Sequence, residues 1–325
     1  MLTAILRRVG SSAGVLLLLT ALVFVATEVL PGDAVLNSLS SDDFSLMSEE
    51  EVQALRAEYG LDKPAVQRYG EWLLGVLGGD LGHTIMANTP VASLIAYPIR
   101  NSLLLGAVVA AVAIPLALLL GMAAAYWQRR WPDKIASGAS ILGYSIPEFA
   151  SGNFLILCLA IWVPVFPAVI SAFTDAPPNE LLALSFLPVI TVVFGSVAHL
   201  LRLVRGGFLE ALNSDYVERA RLTGVPEWRL VLRHALPASV IPALSYAALY
   251  VAGLLQGIVV VEKVFGYPGL GLVLIDAVNA REVAVVQAIA LLSAVTVVVF
   301  NLLADLAIAL LDPRVRHAHS FLRSP

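Results

Sequence analysis

Charge is what this chain has least of. Asp, Glu, Lys and Arg together make up 14% of its 325 residues, against about a quarter in an ordinary soluble domain. A water-soluble body of this size needs charge over most of its surface. With 59% of the residues hydrophobic, the deficit points to lipid replacing water around much of the protein. Cysteine is almost missing as well. Cys158 stands alone in an apolar run, so no intramolecular disulfide or cysteine-based metal cluster can form, and a buried spectator thiol is the ordinary reading. No G-x-x-x-x-G-K-[ST] phosphate loop is present, so any ATP would have to be hydrolysed by another chain. H-E-x-x-H and G-x-S-x-G are absent too, which leaves a membrane enzyme without a visible nucleophile or metal. The net charge of -4 is too small to suggest nucleic acid or any other charged partner.

Long uncharged runs are what the chain does have. The bilayer core is about 30 Å thick, and a helix crosses it with roughly 20 apolar residues. Runs of that kind occupy 9–27, 102–128, 149–174, 181–201, 237–261 and 283–304, the third beginning as early as Ile135. The expected fold is therefore an all-α integral membrane protein of about six transmembrane helices. Pro115, Tyr144-Ser145-Ile146-Pro147-Glu148, Pro188 and Pro242 fall within the runs. Such breaks survive in lipid where neighbouring helices or a cavity satisfy the freed carbonyls. Arg7 and Arg8 precede the first run, but no small-x-small site follows it, so it reads as a retained helix rather than a signal peptide.

Arginine and lysine set the expected orientation. The N-terminus, 128–134, 202–234 and the C-terminal tail carry 14 of the 20 basic residues, while the long loop 31–100 is rich in acids such as Asp42, Asp43 and Glu49 to Glu51. Both termini are thus expected in the cytoplasm. Within the outer loop, Ser48 followed by three acids suits a helix start, with Val52, Leu55 and Tyr59 at helical spacing and a stop at Gly60. A second helix is expected over 65–77, ending at Gly78-Gly79. The expected organisation is a first transmembrane helix over 1–30, a small helical extracytoplasmic subdomain over 31–100, a five-helix core over 101–311 and a tail over 312–325.

The inner loop 206–236 is the most informative segment. Asp215 with Glu218 three residues later has the form of a capping box. A helix over 216–223 should place Tyr216, Val217 and Ala220 on one side and Glu218, Arg221 and Leu222 around the other. Gly224 supplies a left-handed stop, and Pro226 should open a second helix at its first position, carrying Trp228 and Leu232. Two readings of this hairpin stand open. It is an interfacial element that tidies a loop, or it docks into a groove on a cytoplasmic partner. Elsewhere, Glu262-Lys263 and Gly266-Tyr267-Pro268-Gly269 form an outer turn, either structural with a surface ion pair or serving as an outer gate or a contact with an extracytoplasmic partner. Glu148 is either a bend residue or part of a path. Asp305 and His199 suit interhelix hydrogen bonding or packing better than a proton relay.

The order Glu218-Arg219-Ala220, three residues, Gly224, nine residues, then Leu236-Pro237 two positions on resembles the EAA loop of ABC importer permeases. It departs from the common pattern at Arg219, where Ala is usual, and at His234, where Ile is usual. Further segments are similar to the dipeptide/oligopeptide branch of that family, which has a large first extracytoplasmic loop. They are Leu30-Pro31-Gly32-Asp33, Gly60-Leu61-Asp62-Lys63-Pro64, Gly79-Asp80-Leu81-Gly82, Asp215-Tyr216-Val217, Val261-Glu262-Lys263-Val264-Phe265, Pro268-Gly269-Leu270-Gly271 and Leu311-Asp312-Pro313-Arg314-Val315-Arg316. The likeness covers nearly the whole chain.

The resemblance implies a cytoplasmic-membrane permease without catalytic activity or a cofactor of its own. Its partners would be a second related permease, two cytoplasmic ATPase subunits that use ATP and magnesium, and an extracytoplasmic solute-binding protein. Asp215, Tyr216, Val217, Glu218, Arg219, Ala220, Arg221 and Gly224 would form the ATPase-coupling element, and Glu148, Glu262, Lys263 and Tyr267 a path or gate. Short peptides are the implied cargo. Nickel chelates, glutathione, haem and oligosaccharides are handled by relatives of the same branch. A stand-alone carrier would leave the hairpin without a purpose, and an intramembrane hydrolase would need converging polar residues that the runs lack.

Overall fold

A computed structural model of the chain describes residues 2–29, 53, 63–84, 87–236, 250 and 258–311. The expected outer helix over 48–60, most of the fifth apolar run and the C-terminal tail lie outside the described residues. Among the described residues every regular element is helical, and one isolated bridge pairs His83 with Pro90. The chain forms two compact units, neither contiguous in sequence. One comprises residues 1–102, 172–176 and 268–298, the other 103–171, 177–267 and 299–325.

Helix α1, Leu2–Phe24, widens into a π-type turn at its end, Val25–Val29. Helix α2, Ala65–Leu77, matches the expected 65–77. It lies against α1 through the Phe24, Tyr69 and Trp72 rings, whose centroids are 5.4 to 6.2 Å apart. A hydrogen bond of 2.8 Å joins the Thr20 and Tyr69 hydroxyls.

Helix α3, Val91–Tyr126, has 36 residues and so is about 54 Å long, far beyond the apolar run at 102–128. It begins early because its first turns pack. Val91 and Ile95 are buried together with Ala277, Val285, Ala288 and Ile289. The last four come from α11, Leu270–Asn279, and α12, Val283–Leu311. Asn101, fully buried, donates to the carbonyls of Thr174 at 2.9 Å and Pro268 at 2.8 Å. Ser102 accepts the first N–H of α11 at 2.7 Å, so buried polar groups close this end of the unit.

In the other unit the apolar run expected from Ile135 to 174 is broken in two. Helix α4, Trp131–Ser145, is bent by 100° from α5, Glu148–Ile156, which continues as a wide turn to Trp162. Pro147 causes the break, since a proline disfavours helical backbone in the residue before it; Ile146 is accordingly extended, with ψ 120°. Pro164 and Pro167 keep the rest of the run, up to Thr174, out of helix. A short helix α6, Pro178–Leu184, leads into α7, Phe186–Leu212. Pro188 does not break α7, because it lies in the first turn, where no N–H partner is lost.

Helix α7 is the post of this unit. Over half of its most apolar stretch is buried, 56% against 11% for α1. α3 and α4 both approach it at glycine. A Cβ on Gly121 would fall 2.8 Å from Val204, and one on Gly143 would fall 2.8 Å from the Ala198 Cβ. Small residues at such crossings let helices pack closely where lipid offers no hydrophobic drive. Ser140 donates to the Ala198 carbonyl at 2.6 Å beside the second crossing.

Candidate coupling hairpin and path residues

Beyond α7 the chain turns through Asn213 and Ser214 into α8, Asp215–Leu222. Ser214, not Asp215, occupies the cap position. Its carbonyl takes the N–H groups of Val217 and Glu218 at 3.0 Å, while its hydroxyl turns back to the Ala211 carbonyl. The expected capping box is therefore not formed. Asp215 and Glu218 instead place two acids in the first turn, where the N-terminal dipole favours them.

The C-terminus of α8 is a Schellman stop. Val225 N–H reaches the Ala220 carbonyl at 3.1 Å and Gly224 N–H reaches that of Arg221 at 3.0 Å. Gly224 has φ +84°, as its place in the sequence predicts. Thr223 Oγ1 donates to the same Ala220 carbonyl at 2.9 Å. Pro226 is the cap of the next helix rather than its first residue. That helix, α9, spans Glu227–Leu230 and widens into a π-type turn over Val231–Ala235. An ion pair of 2.8 Å between Arg221 and Glu227 ties the two helices.

Burial divides the hairpin into two faces. Val217, Leu230 and Ala235 are fully buried, the last against Ala125, Phe208 and Ala211. Tyr216 at 43%, Leu222 at 82%, Trp228 at 60% and Leu232 at 57% are exposed. Tyr216 thus departs from the expected side: adjacent residues on a helix are about 100° apart, so it cannot share a narrow face with buried Val217. Glu218, Arg219 and Arg221 are exposed and Ala220 is half-buried. The Arg229 guanidinium sits 5.1 Å from the Trp228 ring centre.

The crossing of α4 and α7 carries a feature the sequence reading missed. Asp133, at the start of α4, accepts Arg205 Nε at 2.6 Å and Nη2 at 2.9 Å. It also accepts Arg129 N–H at 2.8 Å and Ser137 Oγ at 3.2 Å. A bidentate arginine–carboxylate pair is the strongest form of this contact. The partners are 72 positions apart; Arg205 had been counted only among the basic residues of 202–234, and Asp133 had been given no role.

The expected path residues fall in two places. Glu148, first residue of α5, is half-buried, its Oε1 3.4 Å from where a Gly195 Cβ would lie. Glu262 and Lys263 belong to α10, Ile258–Phe265, and Tyr267 follows it. α10 ends in the same stop as α8, with Tyr267 N–H on the Glu262 carbonyl at 2.9 Å, Gly266 N–H on that of Lys263 at 3.4 Å, and Gly266 at φ +61°. Glu262 is 1% exposed and Tyr267 fully buried, which overturns the reading of Glu262 and Lys263 as a surface pair; only Lys263 is exposed. Phe265 packs on Gly152, one turn along α5 from Glu148. Among the described residues no group of three or more His, Cys, Asp or Glu could hold a metal ion.

Among the described residues, four helices long and apolar enough to cross a bilayer, with two broken pairs of the same composition, define a multi-pass α-helical membrane protein. The chain belongs to the family of binding-protein-dependent transport system inner membrane components: residues 117–317 match that family. Residues 1–99 match the N-terminal region of the membrane component of such systems. It is similar to a Brucella ovis protein provisionally named a peptide permease, 34% identical over 97% of this chain and 99% of that one. A Brucella melitensis protein provisionally named a peptide transport system permease is 32% identical, over 98% and 100%. The glutathione transport system permease protein GsiC of Shigella flexneri is 31% identical, also over 98% and 100%. The chain is accordingly a transmembrane subunit of an ABC importer in the inner membrane. It works within a complex of other subunits and is a permease, not an enzyme.

Proposed function

We propose that this subunit forms half of a translocation path for short peptides and takes its drive from cytoplasmic ATPase subunits through the α8–α9 hairpin. The observation that carries the reading is the hairpin's division into two faces. Val217, Leu230 and Ala235 fix it to the end of α7, while Tyr216, Leu222, Trp228 and Leu232 are left uncovered. Large apolar and aromatic side chains on a rigid element are what a helix-in-groove contact uses. The Gly224 stop and the Arg221–Glu227 pair make the hairpin stiff enough to pass a displacement on to α7.

The remaining assignments follow from that placement. Fourteen of the 20 basic residues lie on the hairpin's side of the chain, which supports a cytoplasmic placement of that side. Gln287 Nε2 donates to Thr27 Oγ1 at 2.7 Å, so the end of α1 lies beside the start of α12, as two cytoplasmic termini require. The partners are a second related permease, two ATPases holding ATP and magnesium, and an extracytoplasmic binding protein that delivers the cargo. Asp215 to Arg221 and Gly224 form the docking element, while Glu148 and the turn containing Glu262, Lys263 and Tyr267 belong to the path and its outer gate. Peptide cargo is supported by the names of the Brucella relatives; glutathione, itself a short peptide, is named for another.

The test is the complete importer reconstituted in lipid vesicles. Leu222→Glu and Trp228→Glu alter exposed side chains, so the fold should change by no more than about 0.5 kcal/mol. Affinity for the ATPases and binding-protein-stimulated ATP hydrolysis should fall tenfold or more, the size of a lost interface anchor. Undiminished coupled uptake in both variants would refute the docking role. A binding protein that retains a non-peptide solute would replace the cargo and leave the coupling role standing.

A further inference from the structure

The bend between α4 and α5 brings an unusual set of side chains onto one stretch of α7. The Glu148 carboxylate lies over Gly195. One position further, the Ser196 hydroxyl meets the Tyr250 hydroxyl. His199 is stacked between two tyrosines, 5.9 Å from the Tyr144 ring centre and 6.2 Å from that of Tyr250. The Arg202 guanidinium covers the outer face of Tyr144 at 5.2 Å. Positions 195, 199 and 202 follow helical spacing, so these groups form one ladder along one face.

Two features set this face apart among the described residues. Among the described residues no hydrogen bond or ion pair holds the Glu148 carboxylate, and the Arg202 guanidinium lies over the Tyr144 ring. Tyr144 is 62% exposed and Arg202 is exposed as well. A carboxylate at this depth with no partner among the described residues marks a wet pathway rather than a lipid-facing surface, and Arg202 stands at the inner end of the same face, where the segment 202–234 begins. The two charges are separated along the helix. From Gly195 to Arg202 is seven residues, or about 10 Å at the helical rise. An extended tripeptide measures about the same from end to end.

We infer that this ladder is a transient subsite for a zwitterionic short peptide, with Glu148 taking the ammonium end and Arg202 the carboxylate end. The tyrosine and histidine rings supply a flat wall that any side chain can slide along, and the ring faces add attraction for the ammonium. Opposite charges at opposite ends also orient the peptide, its carboxylate pointing towards the hairpin end of α7. The inference rests on the proposed peptide path and adds the chemistry of recognition inside it.

Two measurements on the complete importer in lipid vesicles test it. In the first, uptake of tri-alanine is compared between the unaltered importer and the Glu148→Gln and Arg202→Gln variants at saturating binding protein. Each variant should lower uptake roughly tenfold or more, as loss of a charge-assisted contact does. In the second, a water-soluble carbodiimide labels Glu148 in the unaltered importer, read by peptide-mapping mass spectrometry. Millimolar tri-alanine should slow that labelling several-fold, and N-acetyl-tri-alanine should not. Equal protection by both probes, no labelling of Glu148, normal uptake in the variants, or a Glu148→Gln subunit that no longer assembles would each overturn the subsite; the last would make Glu148 an interface residue. An unaltered importer that takes up no tri-alanine would instead remove the peptide path itself, so the two failures are told apart.

Discussion

Two turns of this molecule have the same backbone and opposite surroundings. After α8, Gly224 at φ +84° closes a Schellman stop in the open, with nothing within 4 Å of where its Cβ would be. After α10, Gly266 at φ +61° closes the same stop against a neighbour, its missing Cβ only 2.7 Å from Val169 Cγ1. The flanking residues differ in the same sense. Phe265 and Tyr267 are buried, as is Glu262, whereas Tyr216, Leu222 and Trp228 are exposed. The shared hydrogen bonds show that the turn itself is only a way to stop a helix. What distinguishes the two is whether the chain covers its own apolar side chains. The inner hairpin leaves them exposed, as the proposed docking role requires, while the turn after α10 uses them to close its own fold.

That contrast can be broken at its largest point by Gly266→Ala. A non-glycine residue in left-handed backbone costs about 1–2 kcal/mol, and relieving the contact with Val169 adds about 1 kcal/mol. The thermal midpoint of the purified importer should therefore fall furthest in this variant. Adding Val169→Ala should return the part due to the contact and leave the backbone part. If it returns nothing, the two turns differ in surroundings but not in energetics.

The next effect concerns how α7, from which the hairpin extends, is held to α4. Asp133→Ala removes a carboxylate that takes four hydrogen bonds and leaves Arg205, with 27% of its side chain exposed, short of its partner. Breaking a buried pair costs several kcal/mol; with Arg205 partly open to solvent, about 2 kcal/mol is expected. A thermal-shift cycle with Arg205→Ala should show a coupling of about 1 kcal/mol between the two sites. Additive losses would mean that the pair does not bind α4 to α7.

Gly224→Ala comes third. Only the left-handed backbone is strained there, so about 1 kcal/mol is expected, with no second-site change able to relieve it. A thermal shift equal to that of Gly266→Ala would erase the distinction between an open and a covered stop.

These residues also show what the amino-acid order could and could not reveal. Helix stops are local: glycine after a periodic run names the left-handed position at Gly224 without any knowledge of the fold, and the Gly-Pro pattern marks a turn at Gly266 without its left-handed geometry. The break at Ile146-Pro147 is legible for the same reason. The cap of α8 was misplaced by one residue because Ser214 and Asp215 both suit a cap, and only the geometry decides between them. The face carrying Tyr216 was misjudged because a two-turn helix gives too little periodicity to orient it. Glu262 was read as exposed because a charged pair beside a Gly-Pro turn has that composition, whereas its burial depends on elements distant in sequence. The Asp133–Arg205 pair was out of reach for the same reason, since 72 positions separate its partners. The ladder on α7 needs the 100° bend before Tyr144, Glu148 and His199 can share a face.

The smallest expected effect lies where the hairpin is most open. Arg221 and Glu227 are 2.8 Å apart, but their side chains are 49% and 52% exposed, so water and salt screen the pair. Arg221→Ala should lower stability by less than about 0.5 kcal/mol, a shift that vanishes at high ionic strength. Yet this contact links α8 to α9 on the exposed side of the hairpin. If the hairpin passes on a push, its stiffness matters more than its contribution to folding. Arg221→Ala should then leave the thermal midpoint unchanged while lowering uptake per ATP hydrolysed at low salt, and Arg221→Lys should restore part of it. A variant that lost stability and coupling together would place Arg221 with the buried residues that hold the hairpin, and one that lost neither would assign coupling to the exposed apolar side chains alone.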